Sequence, residues 1–385
     1  MAVTEQTEGR VPYAAVPAVL AILFPKSPPD AVQRKQPPDT LRALMSLNIV
    51  PRPAATARHD QFEVSAEGLG RYVIDVSLPL GYDDAAAKYP VILVLDGNLL
   101  FDTVQAQVHG RFNIGGGVWP PSIIVGVGYP ADEGFSGFYA RRNHDFFGPW
   151  DMTDELGHAL QQIFTTLKTS EGRHDLTMVA GGYDRFMAFL RDELLPALGH
   201  HYRIDPAARH TLVGDSSGGH FALRAIYDPG NPFRRVVSIS PAFRAAAGSI
   251  QAAEAAYSAR HKDMDIDAFV CCGTVEVDEA KIPALCGFGS GVIWVAEQFA
   301  IREWPSARLE WEIMNSENHT SIPARAVAAG LRSVHRIRPG VHDAERAKAM
   351  TGGSSLSLSE SSSPTDGSPS LLSESPSPTN EHGHR

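Results

Sequence analysis

The sequence predicts an α/β domain built on a mostly parallel sheet flanked by helices, and three observations carry that reading. Continuous apolar runs, V-I-L-V-L at 91–95 and S-I-I-V-G-V-G at 122–128, have the pattern of strands buried on both faces. Helical patterns separate such runs: in G-G-Y-D-R-F-M-A-F-L-R-D-E-L-L-P-A-L (181–198), Phe186, Phe189, Leu190, Leu194 and Leu195 share one face. The third is T-L-V-G-D-S-S-G-G-H at 211–220, where an apolar strand, a glycine-framed serine and a helical pattern follow one another. Strands alternating with helices imply right-handed crossovers and a site at the C-terminal ends of the strands.

Taken in order, residues 1–58 are rich in proline and alanine and read as an N-terminal extension. The main domain is expected at 59–345. Its first clear strand runs from Gly70 to Leu80 with period-two alternation and ends in the turn P-L-G-Y-D-D. V-I-L-V-L-D-G follows Lys88-Tyr89-Pro90, then a helical segment near 101–108, then the strand around 123–128. Residues 131–150 read as a long loop, F-Y-A-R-R-N-H-D-F-F-G-P-W, with neither helical nor strand period. Loops this long in a compact domain are usually functional, so 131–180 is expected to be an inserted loop and helical cap over the site. Beyond the glycine-framed serine, F-R-R-V-V-S-I-S-P-A-F, I-D-A-F-V-C-C-G and L-E-W-E-I-M are three further strands. Residues 346–385 are expected to be a disordered tail, since 351–385 hold twelve serines and four prolines and little that could be buried.

A formal net charge of −10 without a basic cluster argues against nucleic acid and anionic membranes as partners. Three cysteines, Cys271, Cys272 and Cys286, fit neither a disulfide framework nor a zinc spacing, so no metal or cofactor is expected. The N-terminus lacks the basic start of a signal peptide, and no run approaches the ~18 apolar residues of a membrane span, which points to the cytoplasm.

The glycine-framed serine carries the chemistry. In G-x-S-x-G the serine sits on a sharp strand-to-helix turn with its hydroxyl exposed, and only Ser216 fits the frame, because Ser217 would place Asp215 at the first glycine. Gly214 and Gly218 are expected where strand and helix backbones meet. A serine hydroxyl is a poor nucleophile until a histidine takes its proton, and a carboxylate must hold that histidine in one tautomer. Of the 15 histidines, His319 in M-N-S-E-N-H-T-S-I-P lies on a loop past the last core strand, whereas His220, His261 and His335 sit in local, polar or terminal-helix contexts. The acid should follow the preceding strand, where Glu276 comes soonest after Gly273 and Asp278 is the alternative. The oxyanion formed on attack needs two N–H donors: one from Ser217, the residue after the nucleophile, the other from Gly97 or Asn98 after the strand 91–95.

With these residues placed, the chain resembles the putative-esterase group of α/β hydrolases, which includes esterase D-like enzymes and enterochelin esterases of the Fes and IroE type. The resemblance spans about 60–338 and rests on Y-P-V-I-L-V-L-D-G-N, I-I-V-G-V-G-Y-P, R-R-N-H-D-F-F-G-P, F-L-R-D-E-L-L-P-A-L-G-H-H-Y-R-I-D-P, the Ser216 turn, V-V-S-I-S-P-A-F and E-N-H-T-S-I-P. It implies an α/β-hydrolase fold with Ser216, His319 and Glu276 as a triad. The group often reads G-H-S-x-G-G, whereas this chain has Asp215 and Ser217 around the serine. Its R-R-x-x-D pattern implies that Arg141, Arg142 and Asp145 either shape a substrate pocket or bind one another at the site mouth. The expected activity is hydrolysis of a small-molecule carboxylic ester, including a siderophore or secondary-metabolite ester, through an acyl-enzyme. Acyl transfer to an alcohol or amine, and noncatalytic ligand binding, are the alternatives, and the oligomeric state is open.

Overall fold

The structure, a computed structural model, describes residues 58–83, 86–109, 120–165, 168–169, 172–173, 179–278 and 281–336. The N-terminal extension up to residue 57 and the serine-rich tail lie outside the described residues.

The elements in chain order are β1 (His59–Ala66), β2 (Gly70–Ser77), β3 (Val91–Leu95), α1 (Gly97–Val108), β4 (Ile123–Gly128), α2 (Gly134–Phe146) and α3 (Glu155–Thr165). The two-residue strands β5 (Lys168–Thr169) and β6 (Gly172–Arg173) pair antiparallel as a separate two-stranded sheet. Then come α4 (Tyr183–Ala188), a π-helical turn (Phe189–Leu194), α5 (Leu195–His201), β7 (His210–Asp215), α6 (Ser217–Ala225), β8 (Phe233–Ile239), α7 (Ala247–Arg260) and β9 (Asp267–Gly273). The last are α8 (Thr274–Asp278), α9 (Lys281–Cys286), α10 (Phe288–Arg302), β10 (Arg308–Met314) and α11 (Ile322–Val334).

Eight strands form one sheet in the order β1-β2-β4-β3-β7-β8-β9-β10. The first two are antiparallel to their neighbours and the other six run parallel. Successive residues of β3 serve opposite faces, as the two-residue strand period requires. Val91, Leu93 and Leu95 join a large core with Phe146, Phe186, Leu190 and Phe221. Ile92 and Val94 join a second core with Leu100, Val104, Ala326 and Leu331 of α1 and α11.

Three elements differ from the sequence reading. β1 was not anticipated as a strand: H-D-Q-F-E-V-S-A turns only alternate residues inward, and of these only Ala66 is buried, as befits an edge strand. Residues 134–146 are not a loop but helix α2, whose buried side carries Arg142, Asn143 and Asp145 beside Phe146. Polar residues on the inner face erase the apolar stripe by which a helix is read from sequence. The stretch Ala284–Arg302 is long and apolar enough, by length and composition alone, to cross a membrane, contrary to expectation. Within the fold, its α10 portion packs on β9 and β10 through one face that buries Phe288, Val292 and Val295.

Candidate active site

β7 leads straight into the serine. Ser216 has φ 60° and ψ −115°, a left-handed backbone that costs a serine about 1–3 kcal/mol. Three backbone bonds hold it there. Its N–H donates to the Ile239 carbonyl (2.9 Å), and its own carbonyl accepts from the N–H groups of His220 (3.0 Å) and Ala242 (3.1 Å). A Cβ at Gly214 would lie 2.2 Å from the Gly218 carbonyl oxygen, so this glycine is required where strand and helix converge. Gly218 itself has ordinary room, its nearest neighbours at 3.4 Å. The second tight approach belongs to Gly219, 2.3 Å from the Ile239 oxygen on β8.

The last two strands deliver a histidine and an acid. β9 and β10 run parallel with Gly273 opposite Met314, so the turns that follow them leave the sheet side by side. The turn after β10 is held against the other by Val275 N–H donating to the Glu317 carbonyl (3.2 Å). There His319 Nδ1 lies 2.6 Å from Glu276 Oε1. Glu276, 2% exposed, stands in the short helix α8, and its other oxygen accepts from the Ser240 hydroxyl (2.7 Å) and the Gly273 N–H (2.6 Å). Asp278, two residues on, is exposed.

The His319 side chain is 40% exposed, with its ring stacked on Phe288 (centroids 4.7 Å, planes 10° apart). Burial lowers its pKa, but the hydrogen bond to Glu276 and the charges of Asp215 and Glu276 outweigh burial and the nearby Arg142, so the imidazole sits above its ordinary value. Asp215, adjacent to Ser216, is the second carboxylate in this field. Burial pushes it up to about 7, against the pull of His319 and Arg142, and its Oδ1 is buried without a hydrogen-bond partner.

The N–H groups expected to hold an oxyanion lie at two helix starts. In the parallel pair β3–β7, Val94 faces Val213 in register, so Gly97 and Ser216, three residues on from each, leave the sheet at one level. α1 begins at Gly97 and α6 at Ser217, and the first-turn N–H groups of a helix have no partner four residues back. Two helix N-termini side by side make a field favourable to an anion. Asn98 is pinned in place: its side chain donates to the Tyr129 carbonyl (2.8 Å) and accepts from the Tyr129 N–H (2.7 Å).

The three α2 residues, expected either to shape a pocket or to bind one another at the site mouth, each hydrogen-bond to other parts of the fold. Arg141 donates to the carbonyls of Leu69 (2.9 Å) and Arg71 (2.7 Å) and to Glu133 (2.6 Å). Asp145 accepts from the hydroxyls of Tyr72 (2.7 Å) and Tyr129 (3.2 Å) and pairs with His144 (2.9 Å). Arg142 is buried in a two-bond pair with Asp96, Nε to Oδ1 at 2.8 Å and Nη2 to Oδ2 at 2.5 Å. These contacts follow from the helix turning Arg142 and Asp145 inward.

His220 is buried with Nδ1 3.1 Å from the Ala242 carbonyl, and burial pushes it down to about 3. His335 is buried against Thr211 (3.1 Å), and His261 is exposed. The three cysteines are buried and unbridged. Among the described residues, no cluster of His, Cys, Asp or Glu has a metal-binding arrangement. Sequence reasoning missed Ser240 and Phe288; the S-I-S-P turn ending β8 was the available signal for the first, and nothing local marks the second.

A mostly parallel sheet flanked by helices, with a strained serine at the end of a central strand and a histidine–carboxylate pair after the last two, has the architecture of the α/β-hydrolase fold. Residues 165–298 match the sequence profile of the family described as putative esterase, so the resemblance read from the sequence is borne out. The chain is similar to the ferri-bacillibactin esterase BesA of Bacillus subtilis (strain 168), with 31% identity over 157 residues, 40% of this chain and 48% of BesA. It is also similar to the siderophore triacetylfusarinine C esterase of Aspergillus fumigatus, with 28% identity over 198 residues, 50% of this chain and 58% of the relative. The chain thus spans about half the length of these curated relatives. Among solved structures, a BES protein from Bacillus cereus superposes with a TM-score of 0.57 at 25% identity, covering 75% of this chain and 100% of the other. The siderophore hydrolase EstA of Aspergillus nidulans has the same fold, with a TM-score of 0.59 at 19% identity over 74% of this chain and 96% of EstA.

Proposed function

We propose that the protein is a serine esterase that hydrolyses a carboxylic ester of the siderophore type through an acyl-enzyme. The observation that carries this reading is the buried Glu276 joined at 2.6 Å to His319, with two helix N-termini meeting beside Ser216. The named substrates of the relatives, ferri-bacillibactin and triacetylfusarinine C, support the substrate class.

In this mechanism His319 Nε2 takes the Ser216 proton as Oγ bonds to the ester carbonyl carbon. Glu276 keeps the proton on Nδ1 and stabilises the imidazolium. The carbonyl oxygen becomes an oxyanion held by the N–H of Ser217 and that of Gly97 or Asn98. The C–O bond to the alcohol breaks as His319 returns the proton to the leaving oxygen. Water, deprotonated by the same imidazole, then releases the acid and restores Ser216. Residence in the cytoplasm belongs to the same proposal, and cell fractionation checks it.

The test is a panel of esters, iron-loaded and iron-free siderophore esters beside simple aryl and acyl esters, assayed with wild type and Ser216→Ala. Hydrolysis of siderophore esters that Ser216→Ala abolishes is the expected result. Turnover that survives the substitution rejects the mechanism, and a preference for simple acyl esters rejects the substrate class.

A further inference from the structure

Arg142 joins the two turns that carry the oxyanion donors. Besides its two bonds to Asp96, its third nitrogen, Nη1, donates to the Ser217 hydroxyl at 3.1 Å. The Ser217 hydroxyl in turn donates a hydrogen bond to Asn143 Oδ1 at 2.9 Å, so α2 grips it from two successive residues. Asp96 immediately precedes Gly97, and Ser217 immediately follows Ser216. The turns also run close together at Gly218, where an added Cβ would lie 3.4 Å from Asp96 Oδ2. Both turns also contain a non-glycine residue in the left-handed region, Asp96 at φ 50° and Ser216 at φ 60°. Such backbones persist only where their surroundings over-determine them.

The guanidinium is buried, and its carbon lies 5.6–5.8 Å from the ring centroids of Phe138, Tyr139 and Phe146. A buried ion pair is a weak source of stability, often replaceable by apolar residues of equal volume, so its place between these turns calls for another reason. A planar fork with fixed donor directions sets distances between two partners in a way a lysine, as a point charge, does not.

We propose that Arg142 is a positioning residue for the oxyanion hole: through Asp96 and the Ser217 hydroxyl it holds the Ser217 N–H and that of Gly97 or Asn98 at a fixed separation. This rests on the ester-hydrolase reading and extends it to how the donors are kept in place. It also supplies a role for serine after the nucleophile, where the side chain acts as a tether while the backbone N–H acts on substrate.

The test measures kcat and KM for an ester, and the affinity of an arylboronic acid that forms a tetrahedral adduct with the serine, in wild type, Arg142→Lys, Ser217→Ala, Asp96→Asn and the Arg142→Lys/Ser217→Ala double variant. Arg142→Lys keeps the charge and loses the fork. It is expected to lower kcat about 10- to 100-fold with KM changed less than about 2-fold, and to weaken the boronic acid in proportion. Ser217→Ala is expected to lower kcat about 3- to 10-fold, with the double variant no worse than Arg142→Lys alone. Lower thermal stability with kcat and boronate affinity unchanged would make the cluster a fold element and overturn the proposal. A raised KM with unchanged kcat would make Arg142 a substrate contact and overturn it too. Should Arg142→Lys fail to fold, Ser217→Ala and Asp96→Asn decide, and wild-type kcat in both overturns it. Unchanged variants beside an active wild type reject this proposal alone, whereas an inert wild type rejects the ester-hydrolase reading and takes this one with it.

Discussion

Replacing Glu276 by glutamine should reverse the tautomer of His319, and the reason lies in the three partners of the carboxylate. Oε2 accepts from the Gly273 N–H at 2.6 Å and from the Ser240 hydroxyl at 2.7 Å. The backbone N–H cannot turn round, so the single oxygen of the glutamine amide is drawn to that position. The NH2 group then occupies the Oε1 site, 2.6 Å from His319 Nδ1. An NH2 can only donate there, so Nδ1 must accept and the imidazole proton moves to Nε2, the atom that should receive the Ser216 proton. The corresponding carboxylate-to-amide change in serine proteases lowers kcat about 10⁴-fold, equivalent to about 5.4 kcal/mol in the barrier, and the same loss is expected here. The assay is kcat on a chromogenic ester, with ¹⁵N chemical shifts of His319 reporting the tautomer and circular dichroism confirming the fold. A folded Glu276→Gln enzyme within about 10-fold of wild type would refute this reasoning.

Two further perturbations follow from the same neighbourhood. Asp215→Asn removes one of the charges that hold the His319 pKa up, so the acid limb of the kcat/KM profile should move to lower pH. The Asp215 carboxyl is raised in the folded state to about 7, so the folded chain binds a proton more tightly than the unfolded one. Its contribution therefore destabilises progressively as pH rises from about 4 to about 7, and Asp215→Asn should raise the melting temperature at pH 8 and leave it unchanged near pH 3. A Cβ at Gly273 would lie 2.0 Å from the Glu317 carbonyl oxygen. Since backbone cannot step aside cheaply, Gly273→Ala should destabilise by about 2–4 kcal/mol in a urea titration and separate Glu276 from His319, with activity falling more than stability predicts.

The parallel strands were legible because burial on both faces writes them as unbroken apolar runs, and V-I-L-V-L and D-A-F-V-C-C-G stand where the sequence places them. Ser216 was legible because a left-handed residue between a strand and a helix needs glycines around it, and Gly214 meets that need at 2.2 Å. That the second tight approach lies at Gly219 and not at Gly218 was not legible, since it depends on how close β8 passes. The pairing of Glu276 with His319 depends on the adjacency of β9 and β10, which chain order suggests and only the register makes definite. Helix α2 was misread because it turns an arginine, an asparagine and an aspartate inward, and a helix that buries polar groups has no apolar stripe to find. The link from Arg142 to Asp96 and Ser217 joins positions 46 and 75 residues apart, and no local pattern encodes it.

The central claim, that one serine hydroxyl is activated by the His319–Glu276 pair, is tested most directly by treating the protein with a fluorophosphonate and mapping the adduct by mass spectrometry. The account predicts a single phosphonylated peptide modified at Ser216, with the labelling rate collapsing in His319→Ala. Modification at Ser217, no modification at all, or a rate indifferent to the loss of His319 would contradict it.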